Sequence, residues 1–238
     1  MSSIETLIEG SKSLGFELKE EEINKFIEYK KLLKEWNEKI NITSITDDIE
    51  IDIKHFIDSL TPLLTGLFNG KKKIIDIGTG GGFPGVPLKI IRNELDITLL
   101  DSLNKRITFL NEVISSLGLK EIEAIHKRAE ELSRKEEYRE QYDICISRAV
   151  ASLNTLSEYC IPFVKKGGYF ISMKGPDVEG ELKESENAIK ILGGKVRDKK
   201  IITLPMSEIN HSLIIIEKVK ETPTKYPRAG GKPKKNPL

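Results

Sequence analysis

Cysteine is scarce in this chain. Cys145 and Cys160 are the only two in 238 residues, with no CxxC pair and no secretory leader before them. That excludes a disulfide framework, and the expected setting is a reducing cytosol with both thiols buried. Histidine is equally sparse: His55, His126 and His211 lie too far apart for a metal-ligand spacing, so no metal is expected. No apolar run approaches the roughly 18 residues that a bilayer span requires. An excess of one charge is missing too, with 38 basic side chains against 37 acidic and a net charge of +1. The field of the whole molecule therefore selects no nucleic-acid partner, and such a partner must be met by a local basic patch.

What is present is enough apolar residue, 38% of the chain, for one sizeable core with an appendage. Ile23, Phe26, Ile27, Leu33, Trp36 and Ile40 recur at steps of three and four, which predicts an amphipathic helix over Glu20–Ile40. A second helix is expected over Ile49–Leu67, carrying His55, Asp58 and Ser59, before Gly66 and the lysines at 71–73 mark a boundary near residue 70. Residues 1–70 thus read as a helical cap. Beyond it, strands at Ile74–Ile77, Ile97–Leu100, Ile122–Ile125, Asp143–Ile146 and Tyr169–Met173 alternate with helices at Leu103–Leu117, Leu153–Val164 and Val178–Ile191. That alternation implies an α/β body over 71–220, a mostly parallel sheet covered on both faces. Lys195–Leu204 and His211–Val219 lack an intervening helix and should pair antiparallel at one edge. Residues 221–238 form a basic tail with four prolines and no acidic side chain beyond Glu221, a composition that cannot build a core of its own.

The first strand runs into KIIDIGTGGGFPG, Lys73–Gly85. A strand, a bare turn and a helix that Pro84 can open make a loop whose main chain a ligand can approach closely. Gly78 and Gly80 satisfy the start of a GxGxxG fingerprint, but Phe83 occupies the third glycine position. This argues against a pyrophosphate and favours a ligand with an apolar flank; S-adenosylmethionine fits, with Asp76 as a carboxylate partner beside the turn. Asp101 follows the second strand where ribose hydroxyls are usually met. Each carboxylate also has a plain reading, Asp76 as a helix N-cap or turn residue and Asp101 as the cap of the helix beginning near Leu103.

At this point the chain resembles the class I methyltransferases, and within them the ribosomal RNA small-subunit methyltransferase G family, also called glucose-inhibited division protein B. The resemblance is carried by WNEKINIT (Trp36–Thr43), HFIDSL (His55–Leu60), DIGTGGGFPGVPLKI (Asp76–Ile90), DSLNKRITFL (Asp101–Leu110), HKRAEEL (His126–Leu132), SRAVASL (Ser147–Leu153), MKGP (Met173–Pro176) and YPRAGGKPKKNPL (Tyr226–Leu238). It implies a Rossmann-like, seven-stranded sheet with the last strand antiparallel. It also implies methylation of N7 of one guanine in the 530 loop of bacterial 16S ribosomal RNA. The cofactor positions it implies are Gly78, Phe83, Ala129, Glu130 and Arg148.

The chemistry so implied needs no general base, because N7 carries an in-plane lone pair and no proton. The protein's task is alignment. Neither an NPPY-like tetrad for exocyclic amines nor a ProCys pair for pyrimidine C5 occurs. Arg148, at the end of a buried strand, is the expected positioning residue, and an ordinary ion pair is its alternative. Asn41, His55 and Lys174 are candidates for the RNA side, with Asp58 steadying His55 and Thr43 near the same mouth. Arg228 and Lys232 in the tail, with Lys165 and Lys166, are candidate phosphate contacts, and Tyr226 a candidate stacking platform. The expected partner is 16S ribosomal RNA or the small subunit, met by a cytoplasmic monomer. The runner-up is a methyltransferase acting on another RNA or a small molecule; a nicotinamide-dependent oxidoreductase is the rival of a different class, and a ribosome-binding factor without catalysis the non-enzymatic one.

Overall fold

The computed structural model describes residues 2–148 and 151–238. Helix α1 (Ser3–Ser13) opens with a capping box: the Ser2 hydroxyl accepts from the Glu5 amide, and the Glu5 carboxylate accepts from the Ser2 amide. Helix α2 (Glu20–Ile40) ends where Asn41 turns left-handed at φ 50°, a conformation asparagine tolerates. The single helix expected over 49–67 is instead a broken run. It comprises α3 (Asp48–Ile51), a π-helical turn (Asp52–Ile57), α4 (Asp58–Leu60) and a 3₁₀ turn (Thr61–Thr65) entered through Pro62. A π turn widens the helix and re-aims its side chains. Here it lets His55 and Asp58 reach one guanidinium.

The body follows as β1 (Lys73–Ile77), α5 (Gly85–Ile91), β2 (Asp96–Asp101), α6 (Asn104–Ser116), β3 (Ile122–His126), α7 (Ala129–Leu132), β4 (Tyr142–Arg148), α8 (Leu153–Cys160), β5 (Val164–Lys174), α9 (Glu179–Ile191), β6 (Gly194–Thr203) and β7 (Asn210–Lys218). A last short helix, α10 (Lys232–Lys235), lies in the tail. The seven strands are ordered β3-β2-β1-β4-β5-β7-β6, parallel except β7, which is antiparallel to both neighbours. The hairpin therefore pairs as expected, but its first strand takes the edge. Burial explains the choice: β7 is covered along nearly its whole length, whereas β6 is largely solvent-facing. Strand β5 also starts five residues earlier than expected, because the pairing slips between Tyr142 and Ile144 and absorbs Lys165–Gly168.

Two apolar layers flank the sheet. One joins the helical preface to the body, with Phe26, Tyr29, Leu33 and Phe56 packed in the same cluster as Phe83, Leu99 and Phe109. The other gathers Ile75, Cys145, Leu156, Phe163, Phe170 and Ile214, and it takes in Tyr226 from the tail. Cys145 and Cys160 are buried free thiols.

The tail is built into this layer rather than left in solvent. Proline lacks an amide proton but keeps its carbonyl, and those carbonyls are what the body grips. Arg139 donates to the carbonyls of Thr222, Pro223 and Tyr226, Arg134 to that of Pro227, and the Thr155 hydroxyl to that of Pro233. Lys218, buried at the end of β7, bonds the Thr222 hydroxyl at 2.8 Å and pairs with Glu140 at 2.8 Å.

Register sets the site. Asp101 lies beside His126, Arg148 beside Met173 and Lys174 beside Ser212, all at the carboxyl edge of the parallel strands. Because β7 runs the other way, its beginning reaches that edge and brings His211 there.

Candidate functional site

The turn after β1 is held from beneath. Asp76 is fully buried, and its Oδ2 accepts from the Thr79 hydroxyl at 2.7 Å and the Gly85 amide at 2.9 Å. Burial raises its carboxyl to about 7, against the pull of these two bonds. Asp76 lines neither of the two cavities described below, and its bonds are those of a brace under the turn. Gly78 and Gly80 adopt φ of 69° and 60°, and a Cβ on Gly80 would meet only the Gly78 carbonyl at 3.9 Å, leaving the main chain open above. Gly85 does what the third fingerprint glycine usually does: a Cβ there would stand 2.3 Å from Leu99 Cδ2, so α5 packs hard on β2 only without one. Phe83 is thereby released from that duty. Its ring stacks on His55 at 4.5 Å and Tyr29 at 5.5 Å, with the Arg148 guanidinium 5.0 Å from its centroid.

Above the turn lies a cavity of about 640 Å³, lined among others by Gly78, Gly80, Phe83, Asp101, Ala129, Glu130 and Arg148. Seven of the eight positions expected to hold a cofactor are thus brought to one wall, Asp76 being the exception. Asp101 caps the start of α6 and also borders this cavity. Its Oδ1 accepts from the Leu103 amide at 2.9 Å, and its Oδ2 from the Gly80 amide at 3.0 Å and Arg106 at 3.2 Å. An ionised carboxylate offers about four acceptor sites, so one remains for a ligand. Arg106, Lys127, Arg128 and Tyr159 also line this cavity and were not singled out from sequence, and Lys234 of the basic tail joins them.

A second cavity, of about 380 Å³, adjoins the first, and Arg148 and His55 belong to both walls. Arg148 Nη1 donates to Asp58 at 2.8 Å and to the Lys54 carbonyl at 3.1 Å, and Nη2 faces His55 Nδ1 at 3.2 Å. The ion pair with a nearby acid is therefore real, and Arg148 is nonetheless at the cavity wall. Among the described residues three of its five N–H groups are engaged.

His55 Nε2 meets the Thr43 hydroxyl at 2.8 Å. Burial, and secondarily the Arg148 charge, lower His55 to about 4, so the ring is neutral, accepting at Nδ1 and donating at Nε2. His55 and Asp58 do not touch each other as expected; both are tied to Arg148. Burial alone would raise Asp58, but His211 and Arg148 together hold its carboxyl below the ordinary carboxylate range.

The remaining candidates scatter. Asn41 is an exposed helix cap that lines none of these cavities, whereas neighbouring Thr43 does. Lys174 borders the second cavity, paired with Glu181 at 2.8 Å. Arg228 is committed to Glu158 through Nε and Nη2. Tyr226 is buried and offers no stacking face. Lys232 is exposed on the tail, and Lys234 rather than Lys232 reaches the first cavity. Lys165 pairs with Asp143 at 2.5 Å. Within SRAVASL, Ala149 and Val150 lie outside the described residues. Among the described residues no three His, Cys, Asp or Glu side chains gather as metal ligands, and no helix is long and apolar enough to cross a membrane.

A parallel sheet with one antiparallel strand beside its edge, a glycine turn after β1 and an acid after β2 define the class I methyltransferase fold. Solved structures agree: a methyltransferase from Methanosarcina mazei superposes with TM-score 0.52 at 15% identity, covering 67% of this chain and 98% of that one. The Methanococcus jannaschii fibrillarin pre-rRNA processing protein gives 0.51 at 18%, covering 64% and 69%. Sequence comparison goes further. Residues 22–209 match the family described as rRNA small subunit methyltransferase G. The family member of Alkaliphilus metalliredigens is 52% identical over the full length of both chains. That of Clostridium kluyveri is 55% identical over 95% of each. The chain belongs to the ribosomal RNA small subunit methyltransferase G family.

Proposed function

We propose that this protein transfers a methyl group from S-adenosylmethionine to N7 of a guanine in the 530 loop of 16S ribosomal RNA. It works as a cytoplasmic monomer, with residues 1–70 as a cap, 71–220 as the catalytic body and 221–238 as a docked tail. The observation that carries the reading is the pair of adjoining cavities sharing Arg148 and His55, one fitted to a cofactor and the other open to a base.

The residues of the first cavity fit the cofactor. The bare main chain of Gly78 and Gly80 suits its amino-acid part, the free acceptor site on Asp101 suits a ribose hydroxyl, and Ala129 and Glu130, on the same wall, would hold its adenine. When bound, the cofactor supplies a methyl group on a sulfonium, activated without help from the protein.

What this chain contributes is position and charge balance. Neither His55 nor Asp58 is poised as a base: His55 is held neutral between Thr43 and Arg148, and Asp58 is held ionised. That suits N7, which has no proton to give up. The purine gains positive charge as it is methylated, and a bare guanidinium beside it would oppose this. Asp58, 2.8 Å from Arg148, balances that charge. Lys127, Arg128 and Lys234, which line the first cavity, are the cations this reading assigns to RNA phosphates.

Calorimetric titration with S-adenosylhomocysteine and with NADH, followed by transfer of labelled methyl groups to small-subunit RNA, tests the proposal. Binding of the former and incorporation into 16S RNA are expected. Binding of NADH alone would point to the oxidoreductase reading, and cofactor binding without incorporation to a non-catalytic factor.

A further inference from the structure

We propose that the helical cap shapes the cofactor site: the Tyr29 hydroxyl, reaching across from α2, holds the Gly81 carbonyl and so fixes the glycine turn that meets the cofactor's amino-acid part. The inference rests on the methyl-transfer reading above. It makes Tyr29 a positioning residue, which acts through the turn rather than by touching the cofactor.

The glycines of the turn are bare for different reasons. Gly80 lines the first cavity with open space beside it, and its φ of 60° is what asks for glycine. Gly81 is crowded instead. A Cβ there would stand 2.9 Å from Ile42 Cγ2 and 2.8 Å from Phe83 Cε2, so the turn is pressed between the chain that follows α2 and the Phe83 ring. At Gly82 a φ of 94° and the cap act together, because a Cβ would stand 2.6 Å from the Tyr29 hydroxyl. Two of these glycines therefore admit the cap, a duty separate from ligand approach.

Three glycines in a row have little conformational preference of their own, so their order must come from tethers. Two of these rise from the sheet. Asp76 holds Thr79 and Gly85 from beneath, and Asp101 holds the Gly80 amide at 3.0 Å. The third comes from the cap: among the described residues the Gly81 carbonyl accepts from the Tyr29 hydroxyl alone. Tyr29 is fully buried, and burial pushes its phenol above the ordinary value, which keeps the hydroxyl protonated as a donor. Its ring is stacked between Phe56 at 5.3 Å and Phe83 at 5.5 Å, which fixes the direction of that hydroxyl. Tyr29 lines neither cavity, so the bond draws the Gly81 carbonyl toward the cap rather than toward a ligand. Without the hydroxyl this buried carbonyl loses its donor. The turn must then shift to find another, carrying with it the main chain beside the cofactor.

The test compares two ligands of the full chain by calorimetry. S-adenosylhomocysteine carries adenosine and the amino-acid part, whereas methylthioadenosine keeps the adenosine and lacks the amino-acid part. Tyr29→Phe retains the ring and removes the hydroxyl. It should weaken S-adenosylhomocysteine roughly three- to tenfold, the worth of one buried hydrogen bond, and leave methylthioadenosine within about twofold of the wild type. A role confined to the fold would lower the melting temperature and leave the ratio of the two affinities unchanged. Replacing Tyr29 by para-aminophenylalanine keeps an N–H donor at the same ring position and should restore most of the lost affinity. Replacing it by para-fluorophenylalanine fills the hydroxyl's space without a donor, and serves as a second variant under the same rule as Tyr29→Phe. Equal losses on both ligands, no loss on either, or no recovery with the amine overturn the assignment while leaving the methyl-transfer reading in place. A wild-type protein that binds neither ligand overturns both.

Discussion

Replacing Arg228 by alanine should detach the tail and lower the melting temperature of the whole protein. The Glu158 side chain is 1% exposed, and among the described residues every hydrogen bond it accepts comes from Arg228: the amide at 2.6 Å, Nε at 2.9 and 3.1 Å, and Nη2 at 2.6 Å. The substitution leaves a buried carboxylate with a single backbone donor. Removing one partner of a fully buried ion pair costs about 3–5 kcal/mol; with Arg228 23% exposed, water replaces part of the loss and about 2–4 kcal/mol is expected. At about 2–4 °C per kcal/mol for a chain of this size, melting should fall by about 4–16 °C. The loss is capped by the docking energy of the tail, because Glu158 regains water once the tail lifts away. Glu158→Gln introduced into Arg228→Ala should therefore recover stability, although alone it destabilises. Scanning calorimetry reads the global effect, and limited trypsin digestion near Lys225 reads the local one. If Arg228→Ala melts with the wild type and its tail stays equally resistant to trypsin, the pair is a surface contact and the reasoning is refuted.

Asp101→Ala should weaken S-adenosylmethionine binding by about 1–3 kcal/mol, because the acceptor facing the cavity and the tether on the Gly80 amide are lost together; calorimetry showing unchanged affinity would remove Asp101 from the site. Gly85→Ala sets a methyl group against Leu99 and Asp76 and should cost about 1–3 kcal/mol. Gly180→Ala, with open space around it in α9, should leave melting unchanged or raise it. Asp76→Asn should flatten the pH dependence of stability. Burial raises the folded carboxyl to about 7, so the proton it retains favours the folded state at acid pH and that advantage is eroded as pH rises from about 4 through about 7. Melting curves from pH 5 to 8 should then converge in favour of the asparagine variant as pH rises, and parallel curves would contradict the cause assigned.

Much of the architecture was legible because periodicity reports burial directly. The run Ile74–Ile77 reads as a covered strand and proves to be one, and the steps of three and four over Glu20–Ile40 mark a helix, although Ile27, counted on its apolar face, is exposed. What stayed hidden depended on partners distant in sequence. Nothing local in the tail distinguishes an arginine awaiting phosphate from one already paired with Glu158, 70 residues earlier. Asp76 and Asp101 look alike, each an acid at the end of an apolar strand, yet the first lies beneath the turn and the second beside the cavity. His211 left a usable signal: if the last strand is antiparallel, its first residues, not its last, lie at the ligand edge. The π turn at Asp52–Ile57 has no signature in the residues that form it.

The most direct measurement is a map of N7-methylguanine in 16S ribosomal RNA from cells with and without the intact gene, read by borohydride and aniline cleavage at modified bases. Loss of one cleavage site, in the 530 loop, restored by the wild-type protein but not by Asp101→Ala, is the predicted result. An unchanged map, or loss of a modification at a different atom or in a different RNA, would contradict the account.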